Sequence, residues 1–132
     1  MSEACTLLEN APLAGLNTLR VAATARLLAE VRSAAALPQL LDSQLAQGPV
    51  LVLGEGSNVL FAADYPGLVL QPLFAEVRVL EDDGATALVR AEAGAGWAWL
   101  VDWTLGRGLT GLENLALIPG QVGAAPIQNI GA

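Results

Sequence analysis

Leu53-Gly54-Glu55-Gly56-Ser57-Asn58-Val59-Leu60 follows directly on the apolar run Val50-Leu51-Val52-Leu53, which Gly48-Pro49 introduces. A continuous apolar run bounded by turn residues is expected to be a strand buried on both faces. Glycines at alternate positions let the backbone after it turn sharply and come close to a ligand without Cβ interference. Successive N–H groups in such a turn can face one concavity that takes phosphate oxygens without any lysine or arginine. Ser57 and Asn58 add short side-chain donors at the same place. The spacing excludes two common nucleotide loops: no lysine stands where a Walker A loop needs one, and Val59 occupies the third-glycine position of the dinucleotide fingerprint. The segment is a phosphate-loop candidate, with a plain structural turn as the alternative.

A second unusual stretch runs from Gly111 to Ala132, GLENLALIPGQVGAAPIQNIGA. It is apolar yet repeatedly punctuated by Gly and Pro, unlike a regular helix or strand. Loops of this length in compact domains are usually functional. The small residues Gly120, Gly123, Ala124 and Ala125 would let a flat ring or a diphosphate lie against the backbone, with Gln128 and Asn129 able to hydrogen-bond it. A buried connector between subdomains accounts for the same residues equally well.

The remaining chain supplies a frame of short elements. Arg26 to Val31 reads as a strand, and a helix is expected over about Leu37 to Ala46, with Pro38 in its first turn and Gly48 as its stop. Leu68-Val69-Leu70, between Pro66-Gly67 and Pro72, is a further short strand. Val77–Leu80 and Ala87–Ala91 flank the turn residues Glu81-Asp82-Asp83-Gly84 and read as a β-hairpin. Trp97, Leu100, Val101, Thr104 and Leu105 fall on one face of a helix that Gly106 and Gly108 end. Its tryptophans are expected in the core rather than stacked on a ligand. The class is α+β, with two small subdomains at 1–72 and 73–132 and a boundary near Gln71-Pro72-Leu73.

Composition narrows the chemistry. Of the 132 residues 54% are hydrophobic and 14% charged, enough apolar content for a core and too much for a disordered tail. The chain has no histidine and one cysteine, Cys5, so within it a Ser-His-Asp triad, a Cys-His pair and a His-ligated zinc site are excluded; no metal ligand is assigned. Cys5 is expected to be inert. The net charge of −7 has the wrong sign for nonspecific attraction to nucleic acid or anionic lipid. No apolar run approaches the roughly 20 residues that span a bilayer, and the N-terminus lacks the basic start of a signal peptide, so a cytoplasmic location is expected.

Taken together, LGEGSNVLF and GLENLALIPGQVGAAPIQNIGA resemble the paired signature stretches of the UDP-N-acetylenolpyruvoylglucosamine reductases, a family with the vanillyl-alcohol-oxidase type of FAD-binding fold. Asn17-Thr18-Leu19-Arg20-Val21 is similar to the family's N-terminal Asn-Thr-Phe stretch. The resemblance implies FAD as cofactor and NADPH as hydride donor. It implies UDP-N-acetylglucosamine enolpyruvate as substrate, reduced to UDP-N-acetylmuramate for peptidoglycan. It places Gly54, Glu55, Gly56, Ser57 and Asn58 along the FAD pyrophosphate, mostly through backbone amides, with the Glu55 side chain turned away from it. Ile118, Pro119, Gly120, Gly123, Ala124, Ala125, Asn129 and Gly131 would line the flavin and its ribityl-diphosphate arm.

The departures are informative too. Ala22-Ala23 stands where many members carry a Gly-Gly pair, and Ala124 and Ala125 where others carry Gly or Ser. The family motif continues past Ala132, and its proton-donating serine, glutamate and arginine belong to later regions. The expectation is therefore an N-terminal FAD-binding portion with an incomplete second subdomain, no catalytic residue of its own and no activity alone. The alternative is a free-standing, non-catalytic flavin-binding module. Oligomeric state is not legible.

Overall fold

The computed structural model describes residues 3–43, 45, 48–128 and 130. The chain divides into two compact units, Met1–Phe74 and Ala75–Ala132.

The first unit is a four-stranded mixed sheet. Strands β1 (Cys5–Pro12), β2 (Thr24–Val31), β3 (Val50–Val52) and β4 (Tyr65–Pro72) lie in the order β1-β2-β4-β3. β1 pairs antiparallel with β2, while β2 and β3 each pair parallel with β4. Alternate residues on the central strands face opposite sides. Leu28 and Val69 join Leu13, Ala23, Leu53 and Phe61 on one side, whereas Leu27, Ala29, Val31, Leu68 and Leu70 join Leu40 on the other. Ala25 belongs to the first cluster although Leu27 belongs to the second, because the β2–β4 register shifts between them. Each fully buried Leu or Val contributes about 1.5–3 kcal/mol relative to exposure, so these clusters dominate the unit's stability.

Two expectations are corrected in this unit. The run at β3 is not buried on both faces: β3 pairs only with β4, Val50 is exposed and Val52 is 62% exposed. An edge strand has one neighbour, so only Leu51 and the following Leu53 turn toward the core. The doubly buried strand is β4, where Leu68, Val69 and Leu70 are all buried. The helix over Leu37 to Ala46 is shorter than expected. A 3-10 turn at Ala34–Ala36 leads into α1 (Leu37–Asp42), with Pro38 in the first turn. Ser43 leaves the helix in an extended conformation, its hydroxyl donating to the Leu40 carbonyl at 2.6 Å. Ala46 lies outside the described residues. α1 brings Leu37 and Leu40 onto the second face of the sheet. The opposite face is thereby left to the loops.

In the second unit β5 (Val77–Asp82) and β6 (Ala87–Ala91) form the expected hairpin, with a register shift between Val79 and Glu81. Helix α2 (Trp97–Leu105) ends where Gly106 was expected to stop it. Trp97, Leu100 and Val101 form the core, with Val77, Val89, Leu112, Leu115, Ile118 and Val122 packed on them. Leu105 was expected on the buried face but is exposed, while Thr104 beside it in the last turn is buried. Of the tryptophans only Trp97 is in the core. Trp99 is 52% exposed, and the half-buried Trp103 carries the Arg107 guanidinium 3.7 Å from its ring centre.

Two local features lead to predictions. At the hairpin tip the Asp83 carboxylate accepts hydrogen bonds from the Thr86 and Ala85 N–H groups at 2.6 and 2.8 Å, and these hold its pKa below the ordinary value. The folded pKa is the lower one, so the support is present above the unfolded pKa of about 3.9 and is lost as pH falls through the folded value. Amide-exchange NMR should show Ala85 and Thr86 protected at pH 6, keeping that protection at about pH 4 and losing it only as the pH falls further, whereas Asp83→Ala should lack it at every pH. Cys5, half-buried on β1, has its thiol pKa pushed up by burial, with Arg32 partly offsetting this. Its reaction with a disulfide reagent at pH 8 should be slower than that of free cysteine, because less thiolate is present. A rate matching the free thiol would show the site to be open.

Candidate cofactor site

The Gly54–Asn58 segment leaves β3 at the sheet edge and is fixed by an earlier loop. Leu13 is fully buried, its N–H donating to the Ala23 carbonyl at 2.8 Å, and a 3-10 turn follows at Ala14–Leu16. Asn17, only 4% exposed, closes this loop with its side chain. Its Nδ2 donates to the Leu13 and Val21 carbonyls at 2.8 and 3.2 Å, and its Oδ1 accepts from the Val21 N–H at 2.9 Å. A buried carboxamide with its bonds made is stabilising; one left unpaired costs roughly 1–3 kcal/mol.

Gly56 lies directly against that loop. It is buried, has φ +65°, and a Cβ there would stand 2.7 Å from Asn17 Cα and inside contact distance of the Leu16 carbonyl oxygen. The Gly56 carbonyl accepts from the Thr18 N–H at 3.3 Å and the Thr18 hydroxyl at 3.4 Å. The first reason for glycine at 56 is thus the protein's own backbone. Among the described residues, no N–H from Gly54 to Asn58 donates to a protein acceptor. Such a run of uncommitted donors suits the oxygens of a diphosphate. Beside it is an open pocket of about 700 Å³ lined by Ala14, Gly15, Asn17, Thr18, Arg20 and Glu55. Gly54 and Ser57 are half-buried, while Glu55 and Asn58 are exposed. Glu55 lines this pocket together with Arg20, which is the one positive charge there to offset it.

In the second unit, the stretch from Gly111 is irregular, with 3-10 turns at Glu113–Leu115 and Val122–Ala124. The Glu113 carboxylate accepts from the Gly111 N–H, which holds its pKa below the ordinary value. The stretch is strapped to Ala93-Gly94-Ala95-Gly96-Trp97. The indole Nε1 of Trp97 donates to the Leu115 carbonyl at 2.8 Å and its backbone N–H to the Gly120 carbonyl at 2.9 Å. The Val122 and Gly123 N–H groups donate to the Ala95 and Ala93 carbonyls at 2.8 and 3.0 Å. A Cβ at Gly123 would lie 2.7 Å from Ala93 Cβ, so this glycine too answers to internal packing.

These bonds sort the expected residues. Ile118 and Ala125 pack on the α2 core, Pro119 is exposed, and Gly120 is buried with φ +111°. The amides of Gly123, Ala124 and Ala125 are committed within the unit, whereas those of Ile118 and Gly120 have no protein acceptor among the described residues. Asn129 and Gly131 lie outside the described residues. Sequence reasoning missed two supports. The alternating small residues of Ala93-Gly94-Ala95-Gly96 signal close backbone approach, and Asn17 is a polar side chain amid apolar neighbours. Among the described residues no cluster of three or more His, Cys, Asp or Glu side chains is placed to hold a metal.

One unit is a mixed sheet and the other a hairpin with a helix, and each carries a glycine-punctuated loop tied down by backbone bonds, an arrangement suited to a cofactor. The FAD binding domain family matches residues 25–132. The chain belongs to this family, and FAD is the cofactor of the class. The α+β class and the vanillyl-alcohol-oxidase type of fold expected from sequence are borne out. At a finer level the chain is similar to proteins named UDP-N-acetylenolpyruvoylglucosamine reductase. That of Xanthomonas campestris pv. campestris strain 8004 is 54% identical over 127 residues, covering 96% of this chain and 36% of the relative. That of Xanthomonas axonopodis pv. citri is 55% identical with the same coverage. The solved UDP-N-acetylenolpyruvylglucosamine reductase from Thermus caldophilus is 26% identical with a TM-score of 0.64, over 92% of this chain and 40% of that one. The chain spans about a third of the length of the curated relatives it matches.

The contact at Gly56 yields a prediction that needs no cofactor. Gly56→Ala forces a left-handed conformation on a residue with Cβ and drives it into backbone, a cost of about 3 kcal/mol. Urea unfolding of the cofactor-free protein measures it. An unchanged midpoint and slope would show that the loop shifts freely and that the contact is not a constraint.

Proposed function

We propose that the chain is the FAD-binding part of an NADPH-dependent reductase acting on UDP-N-acetylglucosamine enolpyruvate and yielding UDP-N-acetylmuramate for the cell wall. What carries the reading is the 54% identity to named reductases across 127 residues, a span that takes in both glycine-rich loops. FAD would supply the transfer of hydride from NADPH to the enolpyruvyl ether.

The chain's own residues bind and orient. In this reading the uncommitted amides of Gly54, Glu55, Gly56, Ser57 and Asn58 meet the diphosphate, and Arg20 offsets the charge of Glu55 in the adjoining pocket. Ile118, Pro119, Gly120, Gly123, Ala124, Ala125, Asn129 and Gly131 serve the flavin and its ribityl arm. Given the committed amides of the 3-10 turn, Gly123, Ala124 and Ala125 meet it through their small Cα and methyl surfaces, and Ile118 and Gly120 through N–H groups. We assign no proton donor to this chain. The two units are, in this reading, the two FAD-binding subdomains, and the protein works in the cytoplasm. No described helix is long and apolar enough to cross a membrane.

The full-length protein, purified without added cofactor, should show a flavin absorbance band and oxidise NADPH only when the enolpyruvyl sugar nucleotide is supplied. Bound flavin without substrate-dependent NADPH oxidation would remove the reductase assignment while leaving the FAD site. Absence of flavin binding would remove both.

A further inference from the structure

Resting on the reading that Gly54–Asn58 takes the diphosphate, we propose that Thr18 and Asn17 are positioning residues for that loop, acting by capture of one carbonyl. The Gly56 carbonyl is held by two donors of Thr18, the N–H at 3.3 Å and the hydroxyl at 3.4 Å. The Gly56–Ser57 peptide is trans, since the chain has no cis bond among the described residues. In a planar trans peptide the C=O and the following N–H point in opposite directions. Turning the Gly56 carbonyl toward Thr18 therefore turns the Ser57 N–H away from it, and that N–H has no protein acceptor.

Asn17 sets where Thr18 can stand. Its carboxamide bridges Leu13 and Val21 across the base of the loop, and its backbone carbonyl accepts from the Arg20 N–H at 3.1 Å. Its Cα and Cβ form part of the wall against which Gly56 packs. The loop after β1 thus orients a donor that belongs to the loop after β3. A preset donor gains affinity because the ligand does not have to order it.

The test uses the full-length protein with its flavin removed, and titrates FAD, ADP and riboflavin separately. ADP carries the diphosphate without the flavin ring, and riboflavin the ring without phosphate. Thr18→Val keeps the side chain's shape and removes the hydroxyl. It should weaken FAD and ADP at least threefold and leave riboflavin and the cofactor-free melting temperature unchanged, with Thr18→Ser restoring both affinities. Asn17→Asp, which loses the Nδ2 donor and leaves the Leu13 and Val21 carbonyls unpaired, should show the same selectivity among the ligands with a larger loss, together with a lower melting temperature. Failure of the parent protein to bind FAD at all would sink the proposed function and this inference with it. If the parent binds FAD but Thr18→Val and Asn17→Asp bind all three ligands as it does, the inference alone falls. Equal weakening of all three with a lower melting temperature would mark Thr18 and Asn17 as structural supports only and also overturns it.

Discussion

The close approach of Gly56 to the Leu16–Asn17 backbone is the constraint on which the shape of the first unit's glycine loop depends. It brings two loops from opposite edges of the sheet into contact where no side chain fits between them. That contact demands glycine at one position and a loop of fixed shape at the other. The fixed shape comes from Asn17, whose buried carboxamide satisfies backbone groups four residues to either side. Polar satisfaction and backbone packing are thus one arrangement. Relaxing either would move the N–H groups that the loop leaves uncommitted.

The second unit solves a similar problem differently. Its long stretch has no room for a regular ladder, since Pro119 and Pro126 lack N–H groups. It is held instead by the segment before α2, through the indole and backbone of Trp97 and the carbonyls of Ala95 and Ala93. Trp97 therefore works at both ends: its ring anchors the hydrophobic core and its Nε1 fixes a turn of the stretch. Truncating it would empty the core and release the Leu115 carbonyl together. Trp99 and Trp103 sit on the same helix and share neither role.

Much of the fold was legible because its signals are local. Gly106 ends α2 where a helix terminator should, and the Asp83-Gly84 turn closes the hairpin between two short apolar runs. The misreadings came from long-range facts. Val50-Leu51-Val52-Leu53 looks doubly buried, but strand order decides burial, and no local pattern reveals that β4 rather than β3 is central. β1 went unread because Glu9, Asn10 and Pro12 dilute its pattern, and its pairing with β2 supplies what propensity does not. For the site, the glycine loop was visible in the sequence while its cause was not. Glycines 56 and 123 suggested access for a ligand, and each is required first by a neighbouring segment of the chain.

Charge explains why such internal fixing matters. The chain carries a net charge of −7, yet at physiological salt charges more than about 8 Å apart are largely screened, so the groups lining the loop decide what it holds. There Glu55 opposes an anion and Arg20 only balances it, which leaves little net attraction from side chains. On the proposed reading, neutral N–H donors then do the binding of the diphosphate. A neutral dipole acts only when aimed, and its advantage over a flexible lysine is that it needs no reorganisation when the ligand arrives. A site built from dipoles therefore requires a rigid backbone, and a rigid backbone at a sheet edge requires tethers from outside the loop. Asn17, Thr18 and the bare Cα of Gly56 are those tethers, which is why the residues that shape this loop lie nearly forty positions before it as well as within it.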